Sequence, residues 1–264
     1  MRSRPLSRRG RVVIHTTPVW AVLAAALLWF FVGAPVEPQK AADNPPDPLA
    51  HWTMDAVIGG KVPDVTGNGH DAVLGEGVEL EVVDGPCNKA LKFNPAEEDY
   101  LTVSKSEDLQ KLQTLTVMAW IKPMKRPGAH EILCGNGDKS GDPPWPGWRL
   151  RYFWARADLR FGTPDGDIPG ISSPNHSIAP GYFHHVAATY DGQTARVYIN
   201  CVQRAQQEIG KPIAPGNRTF IIGNYIGRKN AYPFDGAIDE LKVYDEALTS
   251  DQIFAAATAD MPER

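Results

Sequence analysis

From Leu49 onwards the chain breaks into short alternations of apolar and polar residues, punctuated about every ten residues by Gly, Asn, Asp or Pro. Alternation of period two places successive side chains on opposite faces of a strand. The pattern therefore points to an all-β sandwich or barrel, and with no internal repeat in view residues 49–260 read as a single sandwich. The clearest strands are Leu115 to Ile121, Trp148 to Trp154, Leu159 to Gly162, His185 to Tyr190, Arg196 to Ile199, Phe220 to Gly223 and Ile238 to Tyr244. Asp191-Gly192 suits a tight hairpin, because both residues tolerate positive φ. One short C-terminal helix is expected. Thr249 can cap it, and Gln252 completes a capping box before the apolar run Ile253 to Ala257.

The head of the chain differs in kind. Residues 1–17 carry five arginines and no acid, and are followed by an uncharged apolar stretch over residues 18–36. Its length lies between the apolar core of a signal peptide and a thin membrane span. Pro35 follows the small-residue site Val32-Gly33-Ala34, and Lys40 precedes Ala41-Ala42, so neither makes a good cleavage site. An uncleaved anchor is favoured over a removed signal, with the basic head in the cytoplasm. The expected location is the cell membrane, single-pass with the C-terminal domain outside the cytoplasm, or else a secreted or periplasmic protein. Residues 37–48, with four prolines, read as an extended linker. The formal charge of −4 becomes −9 once the five N-terminal arginines are set aside, which leaves no phosphate-neutralising surplus and argues against a nucleic-acid partner.

Four stretches then carry a family likeness. They are Trp52-Thr53-Met54-Asp55 with Asp64 to His70, Ala90-Leu91-Lys92-Phe93, Phe183 to Gly192, and Phe234 to Asp245. In this order they resemble the bacterial, LamG-type form of the concanavalin A-like jelly roll, across nearly all of residues 49–260. The resemblance implies a carbohydrate- or protein-binding module on a secreted or surface protein. It departs from the family at Asn200-Cys201, where Asn/Asp-Gly is usual.

Jelly-roll glycosidases carry E-x-D-x-x-E on one strand, since alternate residues share a face and two carboxylates must flank the scissile bond. Only Glu97-Glu98-Asp99 begins such a pattern, and Thr102 stands where the second Glu belongs. No other catalytic signature is present, so the expectation is a binding protein, not an enzyme. His184-His185 cannot share one ion from a strand, because neighbours point to opposite faces. The metal candidates are Asp64 and Asn68, flanking a Gly-bearing loop, and Asp239, which alternation places on the core face beside Leu241 and Val243. An inward carboxylate must be hydrogen-bonded or bound to a cation, and the resemblance points to Ca²⁺. For a glycan or protein ligand the candidates are Trp145 in the Gly- and Pro-rich loop before Trp148, Arg149 and Arg151 on the outward face of the next strand, and Tyr225 and Arg228 in a second polar loop. Alternation puts Trp148, Leu150, Tyr152 and Trp154 together on the inner face. Three cysteines in an exported chain suggest one disulfide among Cys87, Cys134 and Cys201, with one thiol left over.

Overall fold

The computed structural model describes residues 44–126, 130–137, 145–224 and 232–262. The basic head, the apolar 18–36 stretch, most of the linker, Tyr225 and Arg228 lie outside them. Among the described residues no helix is long and apolar enough to cross a membrane.

The strands run β1 (Ala50–Trp52), β2 (Lys61–Val62), β3 (Ala72–Leu74), β4 (Glu81–Gly85) and β5 (Asn88–Phe93), then β6 (Leu101–Val103), β7 (Leu115–Pro123) and β8 (Glu131–Gly135). A one-turn helix α1 (Glu107–Gln110) precedes β7. The second half contains β9 (Trp148–Phe153), β10 (Arg156–Phe161), β11 (Gly170–Ser172), β12 (His184–Tyr190), β13 (Thr194–Ile199), β14 (Val202–Glu208), β15 (Phe220–Ile222), β16 (Gly236–Tyr244) and α2 (Ser250–Thr258). All seven expected strands form, and every recorded ladder is antiparallel.

The first sheet runs β14-β13-β12-β7-β16-β5-β4, with β1 also paired to β16. The second runs β11-β10-β9-β8-β15-β6-β3-β2. Their inner faces share one apolar core, in which Val117, Ala119, Ile121, Val186, Ala188 and Val243 of the first sheet meet Leu101, Cys134, Trp148, Leu150, Tyr152 and Phe220 of the second. Rings interlock across it: Trp52 stacks on Phe220 at 5.6 Å and Phe161 lies 4.7 Å from Tyr190.

The outer faces differ. Tyr244, Leu248, Ile253, Ala256 and Ala257 cover Met118, Ala187 and Tyr198 on the outside of the first sheet, so α2 closes that face. Thr249 accepts from the Gln252 N–H while the Gln252 side chain accepts from the Thr249 N–H, the capping box read from sequence. No corresponding helix packs on the outer face of β8–β11 among the described residues.

Four local expectations change. The β12–β13 loop centres on Gly192-Gln193, not Asp191-Gly192: Asp191 pairs with Thr194 and its Oδ1 accepts the Gln193 and Thr194 N–H groups. Asn200-Cys201 does form the two-residue hairpin between β13 and β14, with φ of 51° and 62°. On β16 the register slips between Asp239 and Lys242, where Glu240 takes φ 51°. Asp239 therefore sits opposite Trp120 and not on the core face with Leu241; the bulge inserts one residue and breaks the alternation. Finally, Cys87, Cys134 and Cys201 are all free thiols. Cys134 belongs to the inter-sheet core, whereas Cys87 and Cys201 stand in hairpin turns joining different strand pairs of the first sheet, so the expected disulfide does not form.

Candidate functional site

The open face of the second sheet is built by the same alternation as its core. Trp148, Leu150 and Tyr152 of β9 are buried in the core, so Arg149, Arg151 and Phe153 point the other way. On β10, Ala157, Leu159 and Phe161 are inward, and Arg156, Asp158 and Arg160 are outward. Pairing places Arg149 across from Arg160, Arg151 across from Asp158, and Ile132 of β8 across from Arg151. Two arginines directly opposed repel. Asp158, one step along, relieves this.

Asp158 is fully buried, and its oxygens accept Arg151 Nε at 2.7 Å, Arg151 Nη2, Arg160 Nε at 3.1 Å and Ser172 Oγ at 2.6 Å. Charge-assisted bonds of this kind fix the planes of both guanidinium groups. Arg149, Arg151 and Arg160 then line a pocket of about 300 Å³ whose remaining walls are Ile132, Ile168, His130 and Tyr232. Burial, with Arg151's charge adding to it, pushes His130 down to about 4, so this imidazole is neutral at physiological pH. Burial also pushes Arg151 below the usual arginine range, against the pull of Asp158.

An aromatic strip leads out of the pocket. The His130 ring lies 4.0 Å from Phe153, and Phe153 meets Trp154 edge-on at 5.9 Å. Trp154 and Ala155 form the β9–β10 hairpin with φ of 53° and 57°, positions that usually go to Asn and Gly. The turn leaves Trp154 44% exposed. Arg126 sits 5.1 Å from the Trp154 ring and Arg156 5.4 Å from Phe153. The inner-face expectation for Trp154 is thus corrected: the strand ends at Phe153, and the alternation stops with it.

The other candidates scatter. Trp145 is half-buried at the far end of β9 from the hairpin, its backbone so close to Gly162 that a Cβ there would overlap the Trp145 carbonyl. Arg149 and Arg151 are brought together in the pocket. Tyr232 ends the second polar loop that begins at Tyr225, and Trp154 faces out instead of in; Arg160 and His130 are additions, of which Arg160 had a signal in lying between Leu159 and Phe161 on an expected strand. Glu97 and Glu98 lie in and after a single 3₁₀ turn, while Asp99 accepts the Asn94 N–H. His185 is buried against Trp120, and His184 turns to Ala179, so the two diverge as strand neighbours should.

The cation candidates divide as well. Asp64 Oδ1 accepts the N–H groups of His51 and Thr66, its Oδ2 accepts that of His70, and Thr66 Oγ1 bonds both oxygens. Burial opposes its ionisation, but those bonds outweigh it and hold the carboxyl below the usual range. Asn68 donates to the Leu49 carbonyl. These two residues tie the loop down, and an ion at Asp64 would have to displace donors already in place. Asp239 fits a cation better: Oδ2 accepts the Cys87 N–H at 3.0 Å, while Oδ1 is buried with no partner. Burial, with Glu240 and Asp55 nearby, pushes its carboxyl up to about 7. Close by, His51, Glu240 and Asp260 bring ligand-type atoms within 4.8 Å of one another, but Lys242 Nζ already lies 3.4 Å from Glu240 and 2.6 Å from Asp260.

Comparison with known proteins agrees with this architecture. No curated protein matches the chain in sequence. Among solved structures, the binding domain of Paraclostridial Mosquitocidal Protein 1 aligns with TM-score 0.64 and 20% identity over 81% of this chain and 52% of that one. Domain 4 of AbnA, a GH43 extracellular arabinanase from Geobacillus stearothermophilus in complex with arabinotriose, aligns with TM-score 0.61 and 23% identity over 80% of this chain and 98% of that domain. The botulinum neurotoxin serotype G binding domain aligns with TM-score 0.61 and 14% identity over 79% and 50% respectively. This chain spans about half the length of the toxin binding domains it matches. Residues 95–254 match the Laminin_G_3 family, and the chain accordingly belongs to the concanavalin A-like lectin/glucanases superfamily.

Proposed function

We propose that residues 49–260 are a non-catalytic binding module that holds a carbohydrate on the open face of the second sheet, carried outside the cytoplasm on the apolar 18–36 anchor. The observation that carries this reading is the arginine-lined pocket opening beside an exposed tryptophan on the one sheet face that α2 leaves uncovered. An indole face stacks on the C–H surface of a sugar ring, and preorganised guanidinium groups hydrogen-bond its oxygens. The arabinotriose complex of the Geobacillus domain, nearly all of which this chain covers, supports a sugar ligand. None of the described residues lining the pocket is a carboxylate, so it offers neither the acid nor the nucleophile of a glycosidase. A calcium ion belongs to the same proposal, held by Asp239 and supplying charge compensation for its buried carboxylate.

The test is a glycan-array screen of the purified chain beside Trp154→Ala, each with calcium and with a chelator. Binding that falls at least about ten-fold in a folded Trp154→Ala variant is the expected result. Silence across the array from folded protein would overturn the glycan reading in favour of a protein partner.

A further inference from the structure

The pocket is electrostatically one-sided. Arg151 and Arg160 share the single carboxylate of Asp158, so this group of three carries a net positive charge at the pocket. Asp158 offers a ligand no oxygen: it is fully buried and its oxygens are filled from Arg151, Arg160 and Ser172. Arg160 uses only Nε on Asp158, and its side chain is 32% exposed. Its two terminal amino groups are thus left for an incoming acceptor. Ile132 and Ile168 supply apolar walls, beside which a guanidinium–anion pair is screened less than in open water.

The charge is also drawn out along the strand. Arg156 over Phe153 and Arg126 over Trp154 continue the line past the pocket to the hairpin tip. From Arg149 to Trp154 the backbone advances about 16 Å, more than one sugar ring occupies. A neutral sugar would use the hydrogen bonds of this strip and leave its charge unanswered.

Resting on the carbohydrate reading, we infer that the ligand is an acidic polysaccharide lying along β9, its carboxylate or sulfate groups meeting Arg149, Arg151 and Arg160 while a neighbouring ring stacks on Trp154. Asp158 is the positioning residue of this site: it touches no ligand and sets the guanidinium planes.

The experiment compares the full chain for binding to polygalacturonate, dextran sulfate, neutral dextran, neutral arabinan and poly-L-glutamate at low and moderate salt. Two variants accompany it, Arg160→Gln and Arg156→Gln. Both leave Asp158 paired to Arg151 and Ser172, and retained melting behaviour checks the fold. The expected result is binding to polygalacturonate or dextran sulfate at least about ten-fold tighter than to the neutral polymers, weakened by salt and by about ten-fold in Arg160→Gln, with a smaller loss in Arg156→Gln. Which of the two acidic polymers binds identifies the acid group. Equal binding of neutral and acidic polymers, unchanged in Arg160→Gln, would overturn the acidic ligand and leave the carbohydrate reading standing. Poly-L-glutamate binding as tightly as either acidic polysaccharide, or no polymer binding at all, would overturn both.

Discussion

Glu131 shows how burial is converted into pH dependence. It lies buried on β8 opposite Tyr152, accepts the Asp235 N–H at 3.3 Å, and burial pushes its carboxyl up to about 7. A carboxyl with a raised folded value binds its proton more tightly in the native state. Its contribution to stability is fully present below its unfolded value and is lost as pH rises through about 7. Gln mimics the protonated form, so Glu131→Gln should match the parent below about pH 4 and exceed it by on the order of 2 kcal/mol at pH 8 in urea denaturation. The same difference at both pH values would show that the group does not titrate in this range. Asp239, also raised to about 7, follows the same sign, with one distinction in its unpartnered Oδ1. If a cation completes it, millimolar calcium at pH 8 raises the melting temperature of the parent and not that of Asp239→Asn, since a ligand bound only by the folded state stabilises it. An unchanged parent melting temperature removes the metal.

At the scale of elements, the β9–β10 hairpin carries strain. Trp154 and Ala155 both hold positive φ, at a cost of roughly 1 kcal/mol or more for each non-glycine residue. Ala155→Gly should therefore raise stability by about 1 kcal/mol in chemical denaturation while Trp154 keeps its ligand contacts; a destabilised variant would mean that the Ala155 methyl group packs to greater effect than its backbone strains. The hairpin also marks where the sequence stopped being legible. β9, with one face in the core, announced itself by alternation, and β7, β12 and β16, buried on both faces, stood out as short apolar runs. β14 did not: Val202–Glu208 is exposed almost throughout and pairs only with β13, so nothing imposed a period on it. β2, β3 and β11 are too short to show one. Alternation also misled at two ends of its range, carrying Trp154 past its strand and passing over the bulge at Glu240, where one residue's φ reverses the face of Asp239. Within the site, Arg149 and Arg151 could be read because one strand decides their face. Arg160 needed the β9–β10 register, and Ile168 and Tyr232 reach the pocket from outside its strands.

At the scale of the molecule, two sheets are held by one apolar core and by no covalent cross-link. Cys134 is buried in that core, and burial pushes Cys87 up to about 12, so neither offers appreciable thiolate at neutral pH. The urea midpoint should consequently be the same with and without dithiothreitol, and a reductant-dependent midpoint would reveal a bond between two of the three thiols. The division of labour between faces follows from the same architecture: α2 seals the outside of the first sheet with apolar side chains, and the second sheet turns Arg149, Arg151, Asp158 and Arg160 outward around a pocket. The pairing of β1 with β16 has one more consequence. Ala50 lies directly across from Val243, so the polypeptide enters the sandwich and completes its last strand at neighbouring points, about 5 Å apart from Cα to Cα. Since, among the described residues, β1 pairs with β16 and no other strand, a chain cut short before Gly236 leaves β1 without a partner, and the first sheet is closed only when the last strand is in place.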